Sequence, residues 1–471
     1  MFFSTWAIRT LPWMLLLVYG WIASHWGLSA DADGELIWQA ASHLRDTGEY
    51  VRSRTSGFPL YELLVASLQG LGLTLEHING VSTCLAATTL WWVGGWVPDQ
   101  PRWRMTFLRL MLVLWPVFLI SSGEAMETAL ALMLAVALVR RVLQRPVLGV
   151  SHALLALMLV LSRLDAALLV MAIAAVAAWR RDCSPWQACL WLGGTGLASL
   201  AAYWTLNDGM GFLSGQMLGL DDPLRRLIRA AAGVVNAFQL TGLVLMGLFI
   251  MSLWRQHALN GRLQSSHLGS LALATSCFYL PRFIALPDEI FYLAIPVLLW
   301  MAAAIPAVSP RWASALIMLG VLQSSFSLAL FERLPGSADR LVFRPALVAG
   351  PLWQEYRVRQ VYAALRDPHQ QQSLSCQVFA DCPSLMLSHT GPFLMTSDQS
   401  RAIVSQRYAY MFWSPRYAEL NVRGAFRHLW ICADEVVPST PGWRVWQPLP
   451  GPFLTDAPGQ ARLSKCDHVA H

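Results

Sequence analysis

The sequence predicts an all-α polytopic membrane protein carrying a small α+β domain at its C-terminal end. Three observations lead there. Of 471 residues, 55% are hydrophobic and only 13% charged, against about 25% charged in soluble domains. Apolar runs of roughly 17–22 residues recur, the length a helix needs to cross a hydrocarbon core about 30 Å thick. Arginine clusters fall in alternate gaps between these runs, and from Glu332 onward the apolar runs stop. No series of alternating strand-length segments suggests a membrane barrel. The net charge of +6 calls for no nucleic-acid partner, because the arginines mark one side of a membrane.

Taken in order, Trp6–Leu28 is the first apolar run. It exceeds the roughly 7–15 residues of a signal-peptide core, and Ser24-His25-Trp26 makes a poor cleavage site. It reads as a retained first helix with Arg9 on the cytoplasmic side. The second crossing covers Leu75–Val97, the third Met105–Ile120 and the fourth Met126–Val139. The chain then exits at Ser162, returns to Arg180-Arg181, exits near Asn207-Asp208 and returns to Arg255 and Arg262. It exits again at Pro281-Arg282 and returns near Arg311, and a last crossing, Trp312–Phe331, brings the count to about eleven. Basic clusters free of acids (Arg102/Arg104, Arg140/Arg141/Arg145, Arg255/Arg262) all fall inside. Acid-containing turns fall outside, except those of Asp99 and Asp182. The N-terminus is then cytoplasmic and the C-terminal domain extracytoplasmic, in a membrane of the bacterial inner (plasma) membrane type.

The first outer loop, residues 29–74, opens with Asp31-Ala32-Asp33-Gly34-Glu35. One reading makes these acids a general base and its neighbours at the mouth of the first helix. The other is capping: Asp33 stands at an N-cap position before the apolar stripe Leu36, Ile37, Ala40, Ala41 and Leu44. Acids at a helix start are also favoured by its dipole. Arg52-Ser53-Arg54 then leads to Gly57-Phe58-Pro59-Leu60-Tyr61-Glu62, where Pro59 suits the first turn of a helix. Leu60, Leu63, Leu64, Ser67 and Leu68 give this second helix an apolar face. Two such helices lying in the interface form a lipid-facing vestibule. Arg52 and Arg54 would bind lipid phosphate there, either specifically or as headgroup anchors.

The remaining outer turns carry Glu124 and Glu127, Arg163 and Asp165, and Arg282 with Asp288 and Glu289. Ionisable groups near membrane depth are costly and serve pairing or function. Each pair alone suits an ordinary ion pair, but their common side lets one cavity collect them all. There is no Walker loop, GxGxxG, GxSxG or HExxH, and His25, His43 and His77 lack metal-type spacing.

Residues 332–471 read as a soluble domain of about 140 residues, rich in Pro, Gly, Trp and Arg. Arg357–Leu365 suggests a short helix, and Gln377–Ala380, His428–Cys432 and Trp443–Trp446 suggest strands. Cys376, Cys382, Cys432 and Cys466 allow two disulfides outside the cell.

The ordered set of outer-loop motifs resembles the GT-C glycosyltransferases, polytopic enzymes that use polyprenyl-phosphate sugars. Among them are the protein O-mannosyltransferases and the lipid A aminoarabinose transferase. The resemblance rests on Asp31-Ala32-Asp33-Gly34-Glu35, Thr47-Gly48-Glu49-Tyr50 and Ser53-Arg54-Thr55-Ser56-Gly57-Phe58-Pro59-Leu60. It continues in Leu161-Ser162-Arg163-Leu164-Asp165-Ala166, in Ile284-Ala285-Leu286-Pro287-Asp288-Glu289, and in Tyr292-Leu293-Ala294-Ile295-Pro296. It covers residues 1–331 and implies a catalytic transmembrane domain whose first outer loop bears two interfacial helices. The implied chemistry is an inverting displacement with Asp33 as base and Asp31 second. Arg54, Arg163, Arg282 and Arg52 are the implied donor-phosphate ligands. Glu35, Glu124, Glu127, Asp165, Asp288, Glu289 and Tyr292 are the implied sugar or acceptor contacts. No metal ligand or cofactor is assigned, and a divalent cation on the outer carboxylates stays open. The implied partners are the lipid-linked donor, membrane lipids, and a glycan, lipid or protein acceptor.

Two other classes compete. A lipid or sugar transporter or flippase would be expected to show inverted repeats and broken helices at the midplane, and no internal repeat is visible in the sequence. An assembly or scaffold protein would use the Trp- and Arg-containing C-terminal domain to bind a partner.

Overall fold

A computed structural model describes residues 6–26, 32–53, 57–96, 100–123, 125–206, 223–260, 266–285, 290–332, 340–345, 385–388, 392–394, 426–433, 443–448 and 462–465. Asp31, Arg54, Glu124, Asp288 and Glu289 lie outside the described residues. So do Arg357–Leu365, Gln377–Ala380, Cys376, Cys382 and Cys466.

Up to Ser325 the described chain is mostly helical, as its apolar periodicity predicts. Helix α1 (Trp6–Trp26) runs against α4 (Leu75–Val93), and at Gly20 any β-carbon would overlap the side chain of Thr83. Small residues permit helix backbones to approach this closely. Between them, α2 (Ala32–Thr47) and α3 (Pro59–Gly70) pack as a hairpin. Ile37, Ala40 and Ala41 of α2 are buried, the stripe that the periodicity marks. However, α2 begins ahead of Asp33, so Asp33 and Glu35 lie in its first turn and not at a cap. The helix dipole favours carboxylates in either place, so the run of acids does not distinguish the two registers.

In α3 the inward face is Tyr61, Glu62, Val65, Ala66 and Gln69, while Leu63 is exposed and Leu60, Leu64 and Leu68 are half-buried. Of these leucines Leu63 faces outward, whereas Leu60, Leu64 and Leu68 pack at the edge of the core, and the polar tips of Tyr61 and Glu62 have partners inside.

The expected third crossing is two helices, α5 (Arg102–Val113) and α6 (Pro116–Gly123), bent by 69°. Pro116 lacks an N–H and its ring crowds the preceding turn. There follow α7 (Glu127–Gln144), α8 (Val150–Ser162), a 3-10 turn (Leu164–Ala166), α9 (Ala167–Trp179) and α10 (Pro185–Leu206). Helix α11 (Pro223–Asn260) is interrupted at Gln239, whose φ of 54° and ψ of 177° are not helical. Then come α12 (His267–Ala285), α13 (Ala294–Ala304) and α14 (Pro310–Ser325). All 11 residues of α13 are buried, as expected of a helix that is apolar all round.

The two helix breaks meet. Trp115, at the bend after α5, donates its indole N–H to the Ala237 carbonyl (2.7 Å). Gln323 of α14 accepts from the Thr241 amide (3.1 Å) and donates to the Thr241 hydroxyl. Backbone groups freed by the interruption are thus paired inside the bundle, as buried polar groups require.

The last helix also ends early. Where the sequence suggested a crossing to Phe331, α14 stops at Ser325 and β1 (Phe326–Glu332) pairs antiparallel with β2 (Arg340–Pro345). Farther on, β3 (Leu385–Ser388), β4 (Pro392–Leu394), β5 (Phe426–Ala433), β6 (Trp443–Pro448) and β7 (Arg462–Lys465) form an antiparallel sheet, order β4-β3-β5-β6-β7. The expected runs at His428–Cys432 and Trp443–Trp446 lie in β5 and β6.

Among the described residues, two helices are long and apolar enough to cross a membrane, Ala237–Trp254 and His267–Ala285, or three if the bent α5–α6 pair is one span. The expected count of about eleven is larger. Trp, Gly, Ser and Thr dilute α1, α4 and α10, and α8, α9 and α13 are short.

Side-chain contacts sort the helix ends into two groups. At one end, Arg104 donates to the Val308 carbonyl (3.3 Å), Arg180 to Ser270 (3.5 Å) and Arg141 to Ser151 (3.2 Å). His267 also stands 3.8 Å from Asp182 there. The opposite end gathers Glu127, Arg163, Asp165, Arg282 and Tyr292.

Candidate functional site

Glu62 is the only charged residue of α3, and it is 1% exposed. Burying a carboxylate costs several kcal/mol unless hydrogen bonds replace its water, and here four donors converge. Oε1 accepts from the Ser53 hydroxyl and the Ser53 amide (2.9 Å); Oε2 accepts from the Tyr50 hydroxyl and the Phe58 amide (3.1 Å). Burial pushes the Glu62 carboxyl above its ordinary range, opposed by Ser53, Tyr50 and the Phe58 amide, which favour the charged form.

The loop between α2 and α3 closes around this carboxylate. Gly57 has φ +67°, and a β-carbon there would overlap the Tyr50 hydroxyl and come within 2.9 Å of Arg52 Cβ. Only glycine tolerates that combination. Arg52 is half-buried between the two anchored residues Tyr50 and Ser53.

A second set joins α7, α8, α9 and α12. The loop residue Arg163, 6% exposed, donates Nε to Asp165 (2.8 Å), and Nη1 to Glu127 (3.1 Å) and the Thr128 hydroxyl (3.0 Å). Burial alone would lower the Arg163 pKa; Asp165 and Glu127 outweigh it and hold the guanidinium charged. The Tyr292 ring meets two cations, with the guanidinium carbons of Arg163 and of Arg282 each 5.3 Å from its centroid. Arg282, unlike Arg163, is exposed.

Tyrosines join the two sets. Tyr203 donates to the Val160 carbonyl (3.0 Å) and lies within electrostatic reach of Glu62, Asp165 and Glu127. Tyr61 meets Ser82 at 3.4 Å and senses Glu127. Tyr279 of α12 is fully buried within reach of Asp165 and Arg163, and its hydroxyl has no hydrogen-bond partner among the described residues.

The structure therefore brings together Glu127, Arg163, Asp165, Arg282 and Tyr292 from the sequence-predicted set. It places Arg52 in the hairpin loop, and Asp33 and Glu35 in the first turn of α2. Glu62, Tyr50, Ser53, Thr128, Tyr203 and Tyr279 were missed. Tyr50 and Ser53 stand in the quoted motifs without an assigned role, and Glu62 carries a signal as an acid inside an apolar helix. Among the described residues, no three His, Cys, Asp or Glu side chains are grouped as a metal site requires.

Chemically, the arrangement offers one accessible guanidinium, Arg282, steadied against an aromatic face beside a rigid buried ion-pair set. That suits a bound anion. Comparison with models of known families, with curated protein sequences and with solved structures finds no match to this chain.

Proposed function

We propose that the protein is an integral-membrane glycosyltransferase of the GT-C type, working at the outer face with a polyprenyl-phosphate sugar donor. The observation that carries this reading is the gathering of Glu127, Arg163, Asp165, Tyr292 and Arg282 at one end of the bundle, within electrostatic reach of the α2–α3 hairpin. Charge this deep at a helix end is costly without a task.

The membrane part of the proposal draws on the surface. Trp91, Trp179, Trp186, Trp254 and Trp312 are 49–72% exposed and lie toward the arginine-bearing ends of their helices, and Trp21 and Trp204 lie toward the opposite ends. Two such groups match the aromatic belts of a bilayer. Helices α1, α4, α7 and α10, of 21, 19, 18 and 22 residues, are each about 27–33 Å long.

In the proposed reaction Asp33, with Asp31 as the alternative, takes the proton of the acceptor hydroxyl. The freed oxygen attacks the anomeric carbon from the face opposite the phosphate and forms the new C–O bond. The old anomeric C–O bond breaks, its electrons leave with polyprenyl phosphate, and the configuration inverts. Arg282 and Arg52 stabilise the negative charge on the departing phosphate. Arg163, fully engaged by Glu127 and Asp165, becomes the strut that fixes Tyr292 and the helix ends around it. The proposal thus moves Arg163 from phosphate ligand to support. The test is Asp33→Asn and Asp31→Asn in cells, with protein level and glycosylated products both measured. Loss of product at normal abundance supports the base; full transfer by both variants removes it.

One observation favours the transporter reading: the break in α11 meets the bend between α5 and α6 inside the bundle. Broken helices of that kind form transport sites. A transporter would move labelled lipid-linked sugar across vesicles with no new glycosidic bond, and a transferase would form that bond.

A further inference from the structure

The proposed reaction leaves the Glu62 cradle without a task, although it is the most completely built polar group in the hairpin. Four donors, from Tyr50, Ser53 and Phe58, meet on one buried carboxylate. Three of them come from Tyr50 and Ser53, which flank Arg52, whose charge acts on the Tyr50 hydroxyl. Gly57 brings the far side of the loop down on Arg52 Cβ at a distance that no β-carbon allows. The loop backbone is therefore fixed on each side of one arginine.

We infer that Glu62 is a positioning residue that holds Arg52 in the orientation needed to receive the phosphate of a polyprenyl-phosphate ligand. The inference rests on the donor class proposed above. Glu62 touches no reacting atom. It acts through the loop: with the carboxylate in place, Arg52 loses little freedom when phosphate binds, and preorganisation of this kind raises affinity without a new contact. A glutamine of the same size cannot substitute, because its amide nitrogen would face two of the four donors, one of them a backbone amide that cannot turn away.

The experiment uses the full chain in lipid nanodiscs and two probes of equal chain length, polyprenyl phosphate and the uncharged polyprenol. The wild type is expected to prefer the phosphate about tenfold or more, as a charge-assisted contact provides. Glu62→Gln and Arg52→Gln should each erase most of that preference while polyprenol binding stays constant. The double variant should lose no more than either alone, the mark of coupled residues. Tyr50→Phe and Ser53→Ala, each removing one donor, should fall between. A Glu62→Gln protein that keeps the preference, or loses it additively with Arg52→Gln, overturns the inference. So does equal weakening of both probes, which a purely structural glutamate would give. A wild type that does not distinguish the probes overturns the donor reading instead. The clamp is then judged separately, by amide exchange at Ser53 and Phe58, which Glu62→Gln must accelerate if the clamp exists.

Discussion

Arg163 and Arg282 stand at the same distance from one tyrosine ring, 5.3 Å, and their surroundings give them different work. Arg163→Met would leave Glu127 and Asp165 buried without their counter-ion, a loss of about 3–5 kcal/mol. The expected result is a sharp drop in thermal stability and abundance. Arg282→Gln removes an exposed charge and should leave abundance unchanged while transfer collapses, which immunoblotting beside product analysis would read. Gly57→Ala should cost about 1–3 kcal/mol from its positive φ and its collision with Tyr50. Gly70→Ala, with nothing within 4 Å of the added carbon, should be neutral in the same melting assay. Glu62 adds a pH signature. Its folded pKa is raised above the ordinary 4.5, so the folded state holds the proton more tightly than the unfolded chain. Relative to Glu62→Gln, wild-type stability should be highest below pH 4.5 and decline as pH rises through the folded value. A difference that grows with rising pH would contradict the assignment.

At the scale of elements, the α2–α3 hairpin and the two helix breaks contrast in how far the sequence discloses them. The buried stripe of α2 and the proline start of α3 are legible because burial and helix entry each leave a local residue pattern. The bend before α6 is marked by Pro116. The break at Gln239 has no such mark, since Phe238-Gln239-Leu240 contains neither Pro nor Gly. It is held by distant partners, Trp115 and Gln323, and a single-sequence reading does not reach contacts separated by 122 and 82 positions. Gln323→Leu should therefore cost about 1–3 kcal/mol, because the Thr241 amide and hydroxyl lose that partner inside the bundle. Thermal unfolding of the purified variant checks this, and an unchanged midpoint would show the break to be held by other means. The inward turn of Glu62 was hidden for a similar reason. Helical periodicity marks the leucines of α3 as its apolar face, and only the donors of another segment show why Glu62 turns inward beside them.

For the molecule as a whole, alternate charge along the sequence and the pairing of helix ends in space agree. Arg104, Arg141 and Arg180 gather at one end with Val308, Ser151 and Ser270, and Glu127, Arg163 and Asp165 gather at the other. That order was legible because the arginines recur in alternate turns along the sequence. The ion-pair geometry was not, since charge order says which groups share a side but not which of them touch. A proteoliposome test follows, in a background without the exposed native Cys84, Cys189 and Cys277. Glu49→Cys and Arg181→Cys, both at exposed positions, should react with a membrane-impermeant thiol reagent from opposite faces. Labelling of both from one face would break the proposed topology. Mass spectrometry of lipid-linked sugars, glycolipids and glycoproteins reads the proposed sugar transfer itself. Cells lacking the protein are compared with cells carrying the wild type or Asp33→Asn. One polyprenyl-phosphate sugar is expected to accumulate, and one glycosylated product to vanish, in the deletion. Asp33→Asn, at normal abundance, should match the deletion, and the wild type should restore the product. Identical sugar profiles in all three strains would contradict the proposed transfer.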